Sequence, residues 1–245
     1  LFFIGRNNSR SSSIYLLTYS PTNFSLDNIS EIVMDNLDYF HIKFYNICRY
    51  YTKSAMSKTA LVILAQGAEE METVITVDML RRAGVKVTMA GLDGSDPVLC
   101  SRQITLVPDK SLADARAENP VYDAVILPGG LEGADRLAKS SVVGDILKEQ
   151  DKSNKIIAAI CAAPTVFVAH GVAQNRKVTS YPTTKDKIPA DQYTYVEGSR
   201  VVVDGHVVTS RGPGTAYWFG LTLIDLLKGK DEADKVEKGM IISCY

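Results

Sequence analysis

The sequence predicts an α/β protein with a mostly parallel sheet and helices on both faces. Three observations lead to this fold class. From Ser57 onward, short apolar runs rich in β-branched residues alternate with stretches whose apolar residues recur every three or four positions. Glycines stand where these helical stretches end, at Gly84, Gly171 and Gly229. Hydrophobic residues make up 46% of the 245-residue chain and charged residues 22%, which is enough for an ordinary hydrophobic core. Alternating strands and helices are typical of layered α/β domains.

The strands and helices follow one another in a regular order. Apolar runs predict five strands, which lie in 60–65, 85–91, 104–107, 122–130 and 155–160. The spacing of apolar residues predicts five helices, over 69–84, 141–150, 164–171, 214–229 and 231–239. In the first helix one apolar face is predicted, formed by Met71, Val74, Ile75, Met79 and Leu80.

A β-hairpin is predicted over residues 200–210, "RVVVDGHVVTS". Asp204 and Gly205 stand between two alternating apolar runs, which is the pattern of a type I′ turn. The hairpin therefore lies between the fifth strand and the long apolar helix at 214–229.

Residues 1–55 differ in composition from the rest of the chain. They hold 11 of the 20 aromatic residues but one of the 17 glycines, and no period of 2 or 3.6 persists in them. The chain begins with Leu1, and Met56 is a natural start for the folded part. We expect residues 1–55 to be an N-terminal extension, disordered or translated from an upstream region, and residues 56–245 to form the domain. A targeting segment and an ordered accessory segment are the alternatives.

Composition argues against several classes of function. The net charge is −1 and the isoelectric point about 6.4, which gives no strong signal for binding nucleic acid. The four cysteines are widely spaced, so neither a disulfide framework nor a metal site is expected, and a reducing, cytoplasmic compartment is favoured. No apolar run reaches the roughly 18 residues of a membrane helix, so no membrane span is expected.

Cys161 is the first candidate for a functional residue. In α/β sheets, ligands bind at the carboxyl ends of the strands, and this rule selects the turns "QGAEE", "LPGGLEG", "ICAAP" and "SRGPG". Cys161 ends a strand and precedes a helix, a bend that exposes a nucleophile in other folds. Backbone N–H groups at a helix start favour the thiolate, and the pKa of such a thiol falls to roughly 3.5–7.5. An inert buried cysteine is the alternative.

The other three turns offer groups that can assist a thiolate. Gly129, Gly130 and the N–H of Ala162 can hold an oxyanion, or the glycines can serve the turn alone. One of the three glutamates near the start of the first helix can transfer a proton to or from Cys161, although the helix dipole alone favours acidic residues there. Arg211 can bind a carboxylate, a phosphate or an oxidised sulfur, or can be a solvated loop charge. The three glutamates are Glu69, Glu70 and Glu72.

Four motifs in order resemble the DJ-one/PfpI superfamily. They are "KTALVILAQGAEEMETVITVDMLRRAG", "LPGG", "AAICAAPTV" and "TSRGPGTAY", and the resemblance covers residues 57–245. It implies a flavodoxin-like α/β sandwich and a homodimer. It also implies a reactive cysteine at Cys161, a partner carboxyl at Glu72, and backbone oxyanion donors at Gly130 and Ala162. The residues implied near the pocket or the dimer interface are Arg102, Arg211, Pro213 and Tyr181.

The sequence departs from the family pattern in its histidines. Ala162 stands where many members carry a histidine after the nucleophile, and Tyr181 stands where another histidine is frequent. A mechanism with histidine as general base is therefore in doubt, and Glu72 is the remaining candidate. Val107 replaces a second, peripheral family cysteine, so redox behaviour is expected to depend on Cys161 and Cys100.

The resemblance implies two functions that use the same thiol. One is a cofactor-free, metal-free glyoxalase and deglycase that acts on methylglyoxal and glycated amines and protects against oxidative stress. The other is a peroxide-responsive redox sensor and chaperone with little turnover, because peroxide also attacks the thiolate. The family's cytoplasmic, nuclear and mitochondrial locations are expected with either function. A nucleotide-binding role is disfavoured, since no G-x-G-x-x-G follows the first strand.

Overall fold

The computed structural model of the chain describes residues 57–242. The predictions made for residues 1–55 lie outside these residues, as do Cys48 and Cys244.

Within the described residues the chain forms eleven strands and seven α-helices. The strands are β1 (Thr59–Leu64), β2 (Lys86–Gly91), β3 (Val98–Leu99), β4 (Thr105–Leu106), β5 (Lys110–Ser111), β6 (Ala124–Leu127), β7 (Ile156–Ile160), β8 (Lys177–Val178), β9 (Thr194–Tyr195), β10 (Val201–Asp204) and β11 (Val207–Ser210). The helices are α1 (Glu70–Arg82), α2 (Leu112–Glu118), α3 (Leu131–Lys139), α4 (Ser141–Lys152), α5 (Pro164–His170), α6 (Ala216–Lys228) and α7 (Lys230–Gly239). Two 3₁₀ helices cover Pro182–Lys187 and Pro213–Thr215.

Seven strands form one sheet in the order β10-β11-β7-β6-β1-β2-β5. Every neighbouring pair is parallel except β10 and β11, which form the predicted hairpin. All four residues of β6 are buried, and so are five of the six residues of β1. Such continuous apolar strands are expected where helices cover both faces of a sheet.

The helices pack in two groups against this sheet. Helices α1, α6 and α7 contact one another in one group, and α3, α4 and α5 form the other. The core between the helices and the sheet contains large side chains from both, such as Phe167 of α5 and Phe219 of α6, which are fully buried. The predicted fold class, an α/β sandwich with a mostly parallel sheet, is confirmed.

Two details of the predicted strands and helices were wrong. The run at 104–107 does not join the large sheet, since β4 pairs antiparallel with β3 in a separate two-stranded ribbon. The predicted apolar face of α1 is only partly buried, because Met71 and Val74 are exposed. Three polar residues of α1 are buried instead, namely Glu72, Thr73 and Thr76. The face that carries them begins at the candidate active site described below.

The hairpin turn also differs from its prediction. Asp204 pairs with Val207, so Gly205 and His206 are the two turn residues. Of these, Gly205 has a positive φ of 62° and His206 does not, whereas a type I′ turn requires positive φ at both positions. The turn has the glycine-first pattern of type II′ instead.

The sheet topology determines where a site can form. The parallel strands β1, β6, β7 and β11 are neighbours, so their carboxyl ends meet at one edge of the sheet. The four predicted turns follow these strands, and they therefore lie side by side.

Candidate active site

Cys161 occupies a strained position directly after β7. Its φ is +64°, in the left-handed region that costs a non-glycine residue about 1–3 kcal/mol. Backbone hydrogen bonds hold it there: the Cys161 N–H donates to the Ser210 carbonyl at 3.0 Å, and its carbonyl accepts from the Tyr181 N–H at 2.7 Å. Cys161 is buried, with 8% of the residue exposed. Strain of this kind is found mostly at functional sites.

Gly129 and Gly130 allow the chain to pass close to Cys161 and Glu72. A Cβ on Gly129 would lie 2.5 Å from the Cys161 Cβ and 2.7 Å from the Glu72 Oε2. A Cβ on Gly130 would lie 2.2 Å from the Gly67 carbonyl oxygen, and Gly130 has a positive φ of 86°. Both positions therefore require glycine.

Glu72 is a fully buried carboxyl beside the thiol. It lies in the first turn of α1, where its own N–H donates to the Glu69 side chain at 2.8 Å. Its Oε2 accepts from the Gly129 N–H at 2.8 Å, and its Oε1 is buried without a nitrogen or oxygen partner among residues 57–242. Burial raises the pKa of Glu72 to about 8, against the opposing effects of the Gly129 N–H and the Cys161 thiol. At neutral pH this carboxyl is mostly protonated.

The pKa of the Cys161 thiol depends on burial and on the charge of Glu72. Burial, followed by the negative charge of ionised Glu72, raises it to about 12, while the Gly130 and Ala162 N–H groups lower it. An acidic thiol stays a prediction, because the raised pKa depends on an ionised Glu72 beside the sulfur. The dipole of the next helix adds little to the acidity of this thiol. That helix, α5, has only seven residues and its N-cap is Ala163, two residues beyond the cysteine.

The thiol and the carboxyl therefore titrate as a pair. An ionised Glu72 disfavours the thiolate, but a Glu72 that has taken the thiol proton no longer repels it and can donate a hydrogen bond to the sulfur. The N–H groups of Gly130 and Ala162 also favour negative charge at this position. The arrangement can thus form a thiolate by transferring one proton over a short distance.

Replacing Gly130 with alanine is expected to destabilise the protein by about 2 kcal/mol or more, because the methyl group would collide with the Gly67 carbonyl and the left-handed φ would be strained. Urea unfolding followed by circular dichroism measures this. Gly239→Ala is the matched control, since a Cβ there has no heavy atom within 4 Å. An unfolding midpoint for Gly130→Ala equal to that of the wild type would contradict the packing described.

Glu69 and Glu70 have roles other than chemistry. Glu69 caps α1 by accepting the Glu72 N–H, and burial raises its pKa. Glu70 accepts hydrogen bonds from the Ser101 hydroxyl at 2.9 Å and the Arg102 N–H at 2.8 Å, so it holds the loop before β4. Burial opposes ionisation of Glu70, but these hydrogen bonds outweigh it and lower the pKa.

Cys100 and Arg102 lie on that same loop. The Cys100 side chain is buried in a small cluster with Leu64, Ala68 and Val98. Burial and the nearby Glu70 and Glu69 raise the pKa of its thiol to about 11. The Arg102 side chain is exposed and donates to the Ser101 carbonyl at 3.2 Å, so it does not reach into the enclosed site.

Tyr181, Arg211 and Pro213 line one cavity. It has a volume of about 260 Å³ and is completed by Pro182, Gly212, Gly214 and Thr215. The cavity lies next to the Cys161 backbone, because Cys161 bonds to the backbones of Tyr181 and Ser210, the residue before Arg211. The structure therefore brings together Cys161, Glu72, Gly130 and Ala162 at the thiol, with Tyr181, Arg211 and Pro213 beside them, and leaves Cys100 and Arg102 on a separate loop.

Thr215 is a site residue that sequence reasoning missed. Its hydroxyl accepts from the N–H groups of Arg211 at 3.2 Å and Gly212 at 3.1 Å, and it lies 2.7 Å from the Ser210 hydroxyl. It therefore fixes the loop that carries Arg211. A threonine three residues after Gly212, before a long apolar helix, is the signal that could have identified it.

The histidines of the described region lie elsewhere. His170 contacts the Leu137 carbonyl at 3.1 Å, and His206 pairs with Asp151 at 2.6 Å near the amino end of β7. Within 57–242, no three His, Cys, Asp or Glu side chains are arranged to hold a metal ion. In the same range no helix is long and apolar enough to cross a membrane.

Comparison with known proteins finds one family. The profile of the "DJ-1/PfpI family" matches residues 58–226. The chain is 51% identical over 188 residues to "Protein dj-1beta" of Drosophila melanogaster, which covers 77% of this chain and 99% of the relative. It is 53% identical over 186 residues to "Parkinson disease protein 7 homolog" of Danio rerio, covering 76% of this chain and 97% of that one.

A relative with a named activity and a solved structure complete the comparison. The chain is 40% identical over 190 residues to "Glutathione-independent glyoxalase DJR-1.2" of Caenorhabditis elegans, covering 77% of this chain and 99% of the relative. The crystal structure of Drosophila melanogaster DJ-1beta superposes with a TM-score of 0.74 at 51% identity, covering 77% of this chain and 100% of that one.

Proposed function

This chain belongs to the DJ-1/PfpI family, and on that premise we propose that it is a cysteine-dependent glyoxalase that needs no cofactor and converts methylglyoxal to lactate. The observation that carries the proposal is the buried Glu72 carboxyl with its free Oε1, set against Cys161 in a strained conformation. A relative at 40% identity bears the name of a glutathione-independent glyoxalase.

The first step is attack of the thiol sulfur on the aldehyde carbon. Ionised Glu72 accepts the thiol proton, and the sulfur forms a C–S bond to give a hemithioacetal. The carbonyl electron pair becomes an oxyanion. The N–H groups of Gly130 and Ala162, which already favour negative charge at the sulfur, are the donors available to it.

The second step moves a proton between the two substrate carbons. Glu72 first passes the thiol proton to the oxyanion, which gives the hydroxyl group of the hemithioacetal and restores the carboxylate. The carboxylate then removes the proton from the former aldehyde carbon and returns it to the neighbouring ketone carbon, while the hydroxyl proton moves from the first oxygen to the second. The aldehyde is thereby oxidised and the ketone reduced within one molecule. The product is a thioester of lactate on Cys161. Water then cleaves the thioester, which releases lactate and restores the thiol. No external oxidant or reductant is needed.

We propose the redox sensor as the second function because the same groups suit an oxidised sulfur. The Gly130 and Ala162 N–H groups and a protonated Glu72 can all hydrogen-bond the oxygens of a sulfinate. Oxidation is expected at Cys161 rather than Cys100, because Glu72 can take the Cys161 proton and the Gly130 and Ala162 N–H groups favour negative charge on its sulfur. The Cys100 Sγ contacts the Val98 carbonyl instead, and the nearby Glu70 and Glu69 disfavour its thiolate.

Two measurements on one sample separate these functions. We expect the purified chain to form lactate from methylglyoxal without glutathione, and we expect mild peroxide to add two oxygens at Cys161 in an intact mass spectrum. Negligible lactate together with clean addition of two oxygens would overturn the glyoxalase proposal in favour of the sensor.

The remaining aspects of the proposal concern substrate range, assembly and location. Deglycation of early glycated amines follows from the same attack on a masked aldehyde, and chaperone activity and protection against oxidative stress belong to the same proposal. A homodimer is supported by apolar side chains exposed on α1, on β3 and directly before β4, namely Met71, Val74, Leu99 and Ile104. Cytoplasmic, nuclear or mitochondrial residence is compatible with the free thiols of Cys100 and Cys161.

A further inference from the structure

The cavity beside Cys161 is larger than methylglyoxal requires. Its volume of about 260 Å³ approaches the lower end of the range of about 300–1,000 Å³ that is usual for ligand pockets. Methylglyoxal has only a methyl group beyond its two carbonyls. The open space between Tyr181 and Pro213 therefore has room for a substituent larger than methyl.

Arg211 lines this cavity, and its partly exposed guanidinium has no protein partner among residues 57–242. Its Nε is buried and bonds to none of these residues. A buried polar group without a partner costs about 1–3 kcal/mol, and more when it is charged. A partly exposed guanidinium without a protein partner at the wall of a cavity can bind an acceptor that a ligand supplies.

The nearest acidic side chain does not neutralise Arg211. Glu197 lies close enough for Arg211 to help lower its pKa, but the main cause of that lowering is the hydrogen bond from Lys185. Lys185 also forms an ion pair with Glu197. The Arg211 charge thus remains available to an anion in the cavity.

The loop around Arg211 is already in a defined shape. Thr215 bonds to the backbone of both Arg211 and Gly212, and the Tyr181 ring lies against Gly212, where an added Cβ would be 3.3 Å from the ring. The walls contributed by Tyr181, Pro182 and Pro213 are mainly apolar. One guanidinium between apolar walls suits a planar carboxylate on an apolar body, whereas a phosphate dianion would need more donors.

We propose that Arg211 binds the carboxylate of the substrate, so that the site prefers aldehydes, α-oxoaldehydes or early glycation adducts that carry a carboxylate near the reacting carbon. The aldehyde as reacting group is taken from the proposed function. The recognition of the carboxylate by Arg211 does not depend on that function. Tyr181 and Pro213 hold the apolar body between the reacting carbon and the acid.

Binding of benzoate and of benzamide tests the proposal without any turnover. The two probes have the same shape and differ in charge, and calorimetry measures the affinity of each. We expect the wild type to bind benzoate at least about tenfold more tightly than benzamide. Arg211→Gln should abolish this preference, and Arg211→Lys should retain part of it because the charge remains.

Arg176→Gln is the matched control. Arg176 is also half-buried and pairs only weakly with Asp204, at 3.5 Å, but it lies beside Gly205 at the hairpin turn. Its replacement should leave the preference for benzoate unchanged. Equal binding of both probes by the wild type, or the same preference in Arg211→Gln, would overturn the proposal.

A kinetic arm separates this inference from the proposed function. If the chain forms lactate, benzoate should inhibit the reaction competitively and benzamide at least about tenfold more weakly, with the difference lost in Arg211→Gln. A preference for benzoate without any lactate would reject the glyoxalase and support the carboxylate site. Lactate formation without a preference for benzoate would support the glyoxalase and reject the carboxylate site.

Discussion

Replacing Cys161 with serine is expected to lower kcat/KM for methylglyoxal by about 10³-fold or more, because the hydroxyl is a far weaker nucleophile at neutral pH than a thiol that can pass its proton to Glu72. Serine is nearly the same size, and it can adopt the same left-handed backbone that the Ser210 carbonyl and Tyr181 N–H hold in place. Lactate formation and thermal unfolding should be measured on the same preparation, so that loss of activity is not confused with loss of fold.

Cys100→Ser is the matched control for this prediction. Cys100 is equally buried, at 4% exposure, but its Sγ contacts the Val98 carbonyl at 3.9 Å rather than a carboxyl. Its replacement should leave kcat/KM within about threefold of the wild type. Lactate formed at the wild-type rate by Cys161→Ser would show that another group carries the reaction.

Replacing Glu72 with glutamine is expected to lower kcat/KM by about 10²–10⁴-fold, since an amide of the same shape can neither accept the thiol proton nor move the substrate proton. The wild-type rate should rise with pH through about 8, where the thiol–carboxyl pair loses its first proton. This rise should be absent in Glu72→Gln. A pH–rate profile of kcat/KM from pH 5 to 9 measures both effects.

The same residue makes the stability of the fold depend on pH. The pKa of Glu72 is raised in the folded chain to about 8 from an ordinary value of 4.5. At a pH between these two values, Glu72 is therefore protonated in the folded state and ionised in the unfolded state. Stability therefore falls as pH rises from about 5 to about 8, by at most about 5 kcal/mol if this carboxyl acts alone. In Glu72→Gln the free energy of unfolding should change much less over this range.

Asp78→Asn on the same helix provides the control for both measurements. Asp78 is exposed and pairs with Arg82 at 2.6 Å, so the same change from carboxyl to amide is made outside the site. Its profiles of rate and stability should follow those of the wild type. If Glu72→Gln kept the rise in rate through pH 8, Glu72 would not be the group that moves the proton.

Much of the fold could be predicted because it depends on local periodicity. The apolar runs of β1 and β7 and the glycine that ends α5 are visible in the chain, and the structure contains each of them. Helices α2 and α3 were missed. The first is short, and the second begins directly after Gly130 without a side-chain cap.

The candidate site was predictable in its members and not in its electrostatics. Strand order places the turns that contain Gly130 and Cys161 beside each other, and this follows from the rule for parallel sheets. The pKa of the thiol could not be predicted from the sequence, because it depends on how deeply Cys161 is buried and on the charge of Glu72 beside it. No spacing along the chain reports that burial.

The sequence by itself determined the alternation of strands and helices and the chemical groups that the turns carry, because periodicity and residue type are local properties. Only the tertiary structure decided which groups touch. It left Met71 and Val74 of α1 exposed and enclosed Glu72 against Cys161. It also placed the Arg211 guanidinium at the wall of a cavity, where no group of the described part of the chain bonds to it. Burial, contact and the pKa values that follow from them arise from segments far apart in the chain.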